Sequence, residues 1–121
     1  MKNYGDNNRN PVEVKSFDFA VRIVKFSKWL KREHKEFEIA NQMLRSGTSI
    51  GANVAEAQYA QSRRDFSSKM QIALKEAYET EYWLRLVVAA DIVQASVAKS
   101  LRNDLKEVLK LLIAITKNVK I

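Results

Sequence analysis

Three glycines and one proline in 121 residues constrain this chain more than any other feature. Tight turns draw heavily on these two residue types, so a chain so poor in them has few sharp reversals. Long helices joined by short links meet that condition. Two of the glycines, Gly47 and Gly51, fall inside an apolar periodicity of helical spacing, where each costs about 0.5–1 kcal/mol relative to alanine. Something in the fold has to offset that cost.

The stretch from Arg45 to Ala57 reads as a helix carrying two stripes. Arg45, Ser49, Asn53 and Glu56 follow at spacings of four, four and three, which places them on one polar side. Gly47, Gly51 and Ala55 form a ridge almost without side chains, and Met43, Ile50 and Val54 supply an apolar edge beside it. The ridge predicts close approach of another helix, with a backbone bared for a ligand as the alternative. A membrane pair is ruled out for this stretch, since Arg45, Asn53 and Glu56 break any apolar run long enough to span a bilayer. The polar stripe is expected to be at least partly buried, with Arg45 or Glu56 engaged by another helix and Glu79 as the leading partner. A buried charge without a partner is too costly to keep.

Around this segment the apolar rhythm predicts an all-α protein, an antiparallel up-down-up-down four-helix bundle over residues 15–121, preceded by a disordered polar tail over 1–14. Helix one is expected from an N-cap at Ser16 to about Arg32, with Asp18 in its first turn. Its residues Phe17, Phe19, Ala20, Val21, Ile23, Val24, Phe26 and Leu30 cover more than half the circumference, more than one core requires. Helix two is expected from about Phe37 to Tyr59. Ser62-Arg63-Arg64-Asp65 looks like a capping box with Asp in place of Glu, opening helix three. Phe66, Met70, Ala73, Ala77, Leu84 and Val88 form its core series, and Ile72, Trp83, Leu86 and Ala90 form a second apolar series with Glu79 among them. Ser96 is the expected cap of helix four, whose Leu101, Leu105, Val108, Leu112, Ile115 and Val119 alternate by four and three.

The formal charge of +7 arises from 21 Lys and Arg against 14 Asp and Glu and favours polyanionic partners. Candidate phosphate contacts are Lys25, Lys28, Lys31, Arg32 and Lys35 on helix one, Arg63 and Arg64 at the start of helix three, and the lysines of helix four, among them Lys99, Lys106, Lys110, Lys117 and Lys120. Trp29, Tyr59, Tyr78 and Tyr82 are candidates for stacking on bases, against the alternative that they pack in the core or an interface. No zinc finger, RNA recognition motif, phosphate loop, Rossmann fingerprint or nucleophile signature is present. No cofactor is expected. A carboxylate-bridged metal centre built on Glu56, Glu76, Glu79 and Glu81 lacks the Glu-x-x-His pairs that such bundles use, because His34 is the sole histidine. The absence of cysteine removes disulfides and thiolate metal sites and makes a reducing cytoplasm the expected compartment.

Arg45-Ser46-Gly47-Thr48-Ser49-Ile50-Gly51-Ala52-Asn53-Val54-Ala55-Glu56-Ala57, followed by Arg63-Arg64-Asp65-Phe66, Ala73-Leu74-Lys75-Glu76-Ala77 and Glu79-Thr80-Glu81-Tyr82-Trp83-Leu84, resembles the bacterial four-helix-bundle proteins encoded by intervening sequences in 23S ribosomal RNA genes. The resemblance runs from Val14 to Lys120. It implies a homopentameric ring of four-helix protomers. It also implies kinship with accessory proteins of diversity-generating retroelements, which bind nucleic acid and a reverse transcriptase. Many members carry Gly after the Ala-Glu and Gly-Ser after the Ala-Leu, where this chain has Ala57 and Lys75-Glu76, so it looks like a subgroup. The expectation is a non-enzymatic basic scaffold that self-associates and binds structured RNA or DNA. The alternative is an interaction scaffold for a polymerase or other protein without direct nucleic-acid binding. Self-association also has a motive in the residues, since a monomer would expose the wide arc of helix one and the second apolar series of helix three.

Overall fold

The computed structural model describes residues 10–119. They form an all-α four-helix bundle of α1 (Pro11–His34), α2 (Glu38–Ala57), α3 (Arg63–Ala89) and α4 (Ala95–Asn118). Each helix packs closely against its sequence neighbours, with α4 closing on α1, while the backbones of the diagonal pairs stay farther apart. That is the up-down-up-down arrangement short links impose. Phe19, Ile23, Leu30, Met43, Ile50, Met70, Leu84, Leu105 and Leu112 fill the centre.

Four helix ends depart from the expectation. α1 begins at Pro11, five residues before Ser16, because Asn10 is the N-cap: its side-chain oxygen accepts the Glu13 N–H at 3.0 Å. Proline is suited to the first turn, where its missing N–H would have no helical partner and its fixed φ already matches the helix. Ser16 is instead buried, its hydroxyl donating back to the Glu13 carbonyl at 3.3 Å. Residues 11–14 therefore belong to the bundle, and the rest of the expected tail, residues 1–9, lies outside the described residues, as does Lys120. α2 is shorter at both ends than the expected Phe37–Tyr59. α4 begins at Ala95 after Gln94, which has no side-chain cap bond, so Ser96 sits inside its first turn.

The Ser62 cap does form, its hydroxyl accepting the Asp65 N–H at 3.0 Å. The Asp65 carboxylate accepts the N–H of Gln61 at 3.2 Å, one residue before the position a full capping box would use. Neither the α1–α2 nor the α3–α4 link contains glycine. Lys35 and Asp91 take the left-handed conformation there, with φ of 53° and 60°. On α3 the buried position is Val87, with Val88 half-buried, and a polar side chain, Thr80, is fully buried where helix two meets it.

Candidate functional site

The two stripes of α2 lie on opposite flanks of its buried edge of Met43, Ile50 and Val54, and each meets a different neighbour. The glycine ridge faces α1. A Cβ on Gly47 would stand 2.8 Å from Cγ2 of the fully buried Ile23, and one on Gly51 would stand 3.1 Å from the Ser16 carbonyl oxygen. Bare backbone at these two points lets the helices approach, and dispersion attraction across the closer interface offsets the poor helix propensity of glycine. Ala55 borders the same interface near Glu13 and Phe17. Farther along, the buried Ser27 hydroxyl of α1 donates to the Ala40 carbonyl of α2 at 3.0 Å.

The polar stripe faces α3. One arm of the Arg45 guanidinium donates to both oxygens of Glu76, at 3.0 and 3.3 Å, and its other arm donates to Glu79. The Trp83 indole N–H reaches the same Glu79 oxygen at 3.0 Å. At the far end of the stripe Glu56 pairs with Lys69 at 3.1 Å. Ser49 and Asn53 turn back on their own helix, donating to the carbonyls of Arg45 at 2.7 Å and Ser49 at 2.9 Å. The stripe is thus only partly covered, with Ser49 and Asn53 half-buried while Arg45 and Glu56 remain exposed.

Beneath the ion pairs, the buried hydroxyls of Ser46 and Thr80 lie 2.8 Å apart. Thr80 also reaches the Glu76 carbonyl at 2.8 Å and Ser46 the Met43 carbonyl at 3.4 Å. Sequence reasoning left Ser46, Lys69, Glu76, Thr80 and Trp83 outside the site. The i, i+3, i+4 and i+7 spacing of Glu76, Glu79, Thr80 and Trp83 sets all four on one side of α3, but only the packing of α2 against that side makes them part of the site.

The Trp83 hydrogen bond is the largest influence holding the Glu79 carboxyl below its ordinary range; partial burial opposes it and Arg45 reinforces it. Arg45 is raised, chiefly by its bond to Glu79 and further by Glu76, against the opposing effect of burial. Glu79 is therefore ionised at neutral pH and occupied by two donors, the reverse of what a general acid needs. Among the described residues no group of three or more His, Asp or Glu side chains is arranged to hold a metal ion. None of the described helices is long and apolar enough to cross a membrane.

The basic candidates on α1 and at the start of α3 do not converge within the chain. Lys25, Lys28, Arg32 and Lys35 are exposed and Lys31 half-buried along the C-terminal half of α1. Arg32 pairs with Glu33 at 2.9 Å, and the Lys35 ammonium donates to the Arg32 carbonyl at 3.2 Å. Arg63 and Arg64, also exposed, begin α3 at the other end of the bundle. The 20 residues of α2 separate the two groups by roughly 30 Å along its axis. Of the aromatic candidates, Trp29 stacks on Phe26 at 5.6 Å and meets His34 edge-on at 4.8 Å, while Tyr59, Tyr78 and Tyr82 are exposed.

The structure defines the protein as an all-α four-helix bundle whose most organised polar feature is an ion-paired seam between α2 and α3. Comparison with known families narrows the class. The profile of the 23S rRNA-intervening sequence protein matches residues 9–114, and the chain belongs to that family. A crystal structure of a protein of unknown function from the S23 ribosomal protein family of Bacteroides thetaiotaomicron is 54% identical, with a TM-score of 0.86. That match covers 88% of this chain and 99% of the other. No curated protein matches the chain. Neither the family description nor the similar protein's name specifies a reaction.

Proposed function

We propose that this protein is a non-enzymatic, self-associating basic scaffold that binds structured RNA or DNA through phosphate contacts. The observation that carries the reading is charge: a formal +7, with Lys25, Lys28, Lys31, Arg63 and Arg64 paired to no carboxylate among the described residues. Unpaired surface cations lose little by exchanging water and chloride for phosphate, and the release of condensed counterions drives the association. The family's description refers to 23S rRNA intervening sequences, which agrees with a nucleic-acid setting. Self-association is supported by apolar side chains left partly open on the protomer, Val21 at 38%, Ile72 at 42% and Ile113 at 42% exposure. A ring of five is what the resemblance implies, and copies in a ring would bring separated basic groups into one field.

A mobility-shift titration against duplex and folded RNA tests the reading. Binding at low salt is expected, with log K falling linearly as log salt rises, at a slope of about 0.9 per duplex phosphate neutralised. No retention of any nucleic acid at low salt overturns it. A pull-down partner that survives nuclease treatment would then favour a polymerase or other protein as the ligand.

A further inference from the structure

We infer that the outer face formed by α3 and α4 is a docking surface for unpaired nucleotides, with Tyr78 and Tyr82 as stacking platforms. The inference rests on the nucleic-acid reading above and adds to it a face, a strandedness and a division of labour between side chains. Tyr78 and Tyr82 are 52% and 47% exposed, one helical turn apart on α3. Their Cα atoms are separated by about 6 Å along the axis, a spacing that successive bases of an extended strand can meet. Tyr82 is braced edge-on by Trp83 at 5.1 Å, and the Trp83 indole is itself tied to Glu79, which limits the freedom the ring would lose on stacking. Lys75 precedes the first tyrosine by three residues and Arg85 follows the second by three, so cations flank the pair on the same exposed stripe.

The neighbouring helix continues the pattern. α4 presents an open depression of about 320 Å³ lined by Ala95, Ser96, Lys99, Arg102, Asn103 and Lys106. Arg102 reaches Glu81 of α3 at 3.5 Å, which joins this depression to the tyrosine-bearing helix. Lys75, Arg85, Lys99 and Lys106 are exposed and have no carboxylate partner among the described residues. Two exposed aromatic rings bordered by cations, with one paired acid between the helices, suit a strand whose bases are free to stack and whose phosphates need neutralising. A duplex would satisfy the lysines and leave the tyrosines idle, because its bases are already stacked on one another.

The test is fluorescence anisotropy with single-stranded RNA, single-stranded DNA and duplex probes at fixed salt, using the full chain and two double variants. Tyr78→Ala/Tyr82→Ala is expected to weaken single-strand binding at least about tenfold and duplex binding little. Tyr78→Phe/Tyr82→Phe, which keeps the rings, is expected to retain wild-type affinity. Equal binding of RNA and DNA strands assigns recognition to stacking and phosphate alone; a preference for RNA adds a contact to the 2′-hydroxyl. The inference is overturned if the alanine variant binds single strands like the wild type. It is equally overturned if that variant, with unchanged helicity by circular dichroism, loses oligomeric mass, since the tyrosines would then lie between copies. Failure of the wild-type protein to bind any probe instead overturns the broader nucleic-acid reading.

Discussion

At Gly47 the space for a single methyl group is missing, because Ile23 of α1 fills it with a fully buried branched side chain. Gly47→Ala would gain about 1 kcal/mol of helix propensity and lose more through overpacking, for a net destabilisation of roughly 1 kcal/mol or more in urea unfolding. A stabilised variant would mean that Ile23 yields and that the glycine is not there for packing. Thr80→Val removes a buried hydroxyl that serves both Ser46 and the Glu76 carbonyl. It is expected to cost about 1–2 kcal/mol, since the Ser46 hydroxyl keeps only the longer approach to Met43. Asp91 takes a left-handed φ of 60° on an exposed link, so Asp91→Gly should stabilise by about 0.5–1 kcal/mol in the same assay. The importance of Gly47 could be read from its position in a helical pattern. The burial of Thr80 could not, because a threonine between Glu79 and Glu81 looks like part of a solvated face until α2 is laid beside it.

Among the elements, α2 has the most to arrange, since its two flanks must satisfy two different neighbours. Its α3 flank carries a pH dependence. Glu79 in the folded protein sits below its ordinary value, so it takes up a proton less readily when folded than when unfolded. Its contribution to stability is complete above the ordinary glutamate value of about 4.3 and disappears as pH falls through the lower folded-state value. Unfolding of the wild type and Glu79→Gln measured from neutral to acid pH should show a gap that closes only below that value; a gap unchanged throughout would show that the Arg45 and Trp83 bonds do not depend on the charge. Helix existence and order were legible from apolar rhythm, and the Ser62 cap from its local motif. The starts of α1 and α4 were missed for one reason. Several polar residues near each start could serve as caps, and the choice of Asn10 and Gln94 fell to where the helix could still bury Val12 and Ala98.

For the whole molecule, the wide apolar arc of α1 divides into a buried face of Phe19, Ile23, Phe26 and Leu30 and a remainder on which Val21 stays 38% exposed, and Ile72 of α3 and Ile113 of α4 are each 42% exposed. Light scattering at micromolar concentration should therefore give a mass several times 13.9 kDa; a mass near that value would mean that these side chains are simply solvated. The cations are also a whole-molecule matter. Their number follows from composition, yet α1 places its set at one end, Arg63 and Arg64 stand at the other, and α3 and α4 put a third group along a side beside exposed tyrosines.

What the chain's order of residues determined by itself was its class: few turns, four apolar rhythms of helical period, a ridge of small residues and a surplus of positive charge, all of them local or additive properties. Only the tertiary structure decided which helix meets each flank of α2, that Arg45 holds Glu76 as well as Glu79, and that Ser46 and Thr80 share a buried hydrogen bond. Those pairings join residues more than twenty positions apart. They depend on the rotation and axial offset of one helix against another, which are set by how all the side chains of the core fit together at once.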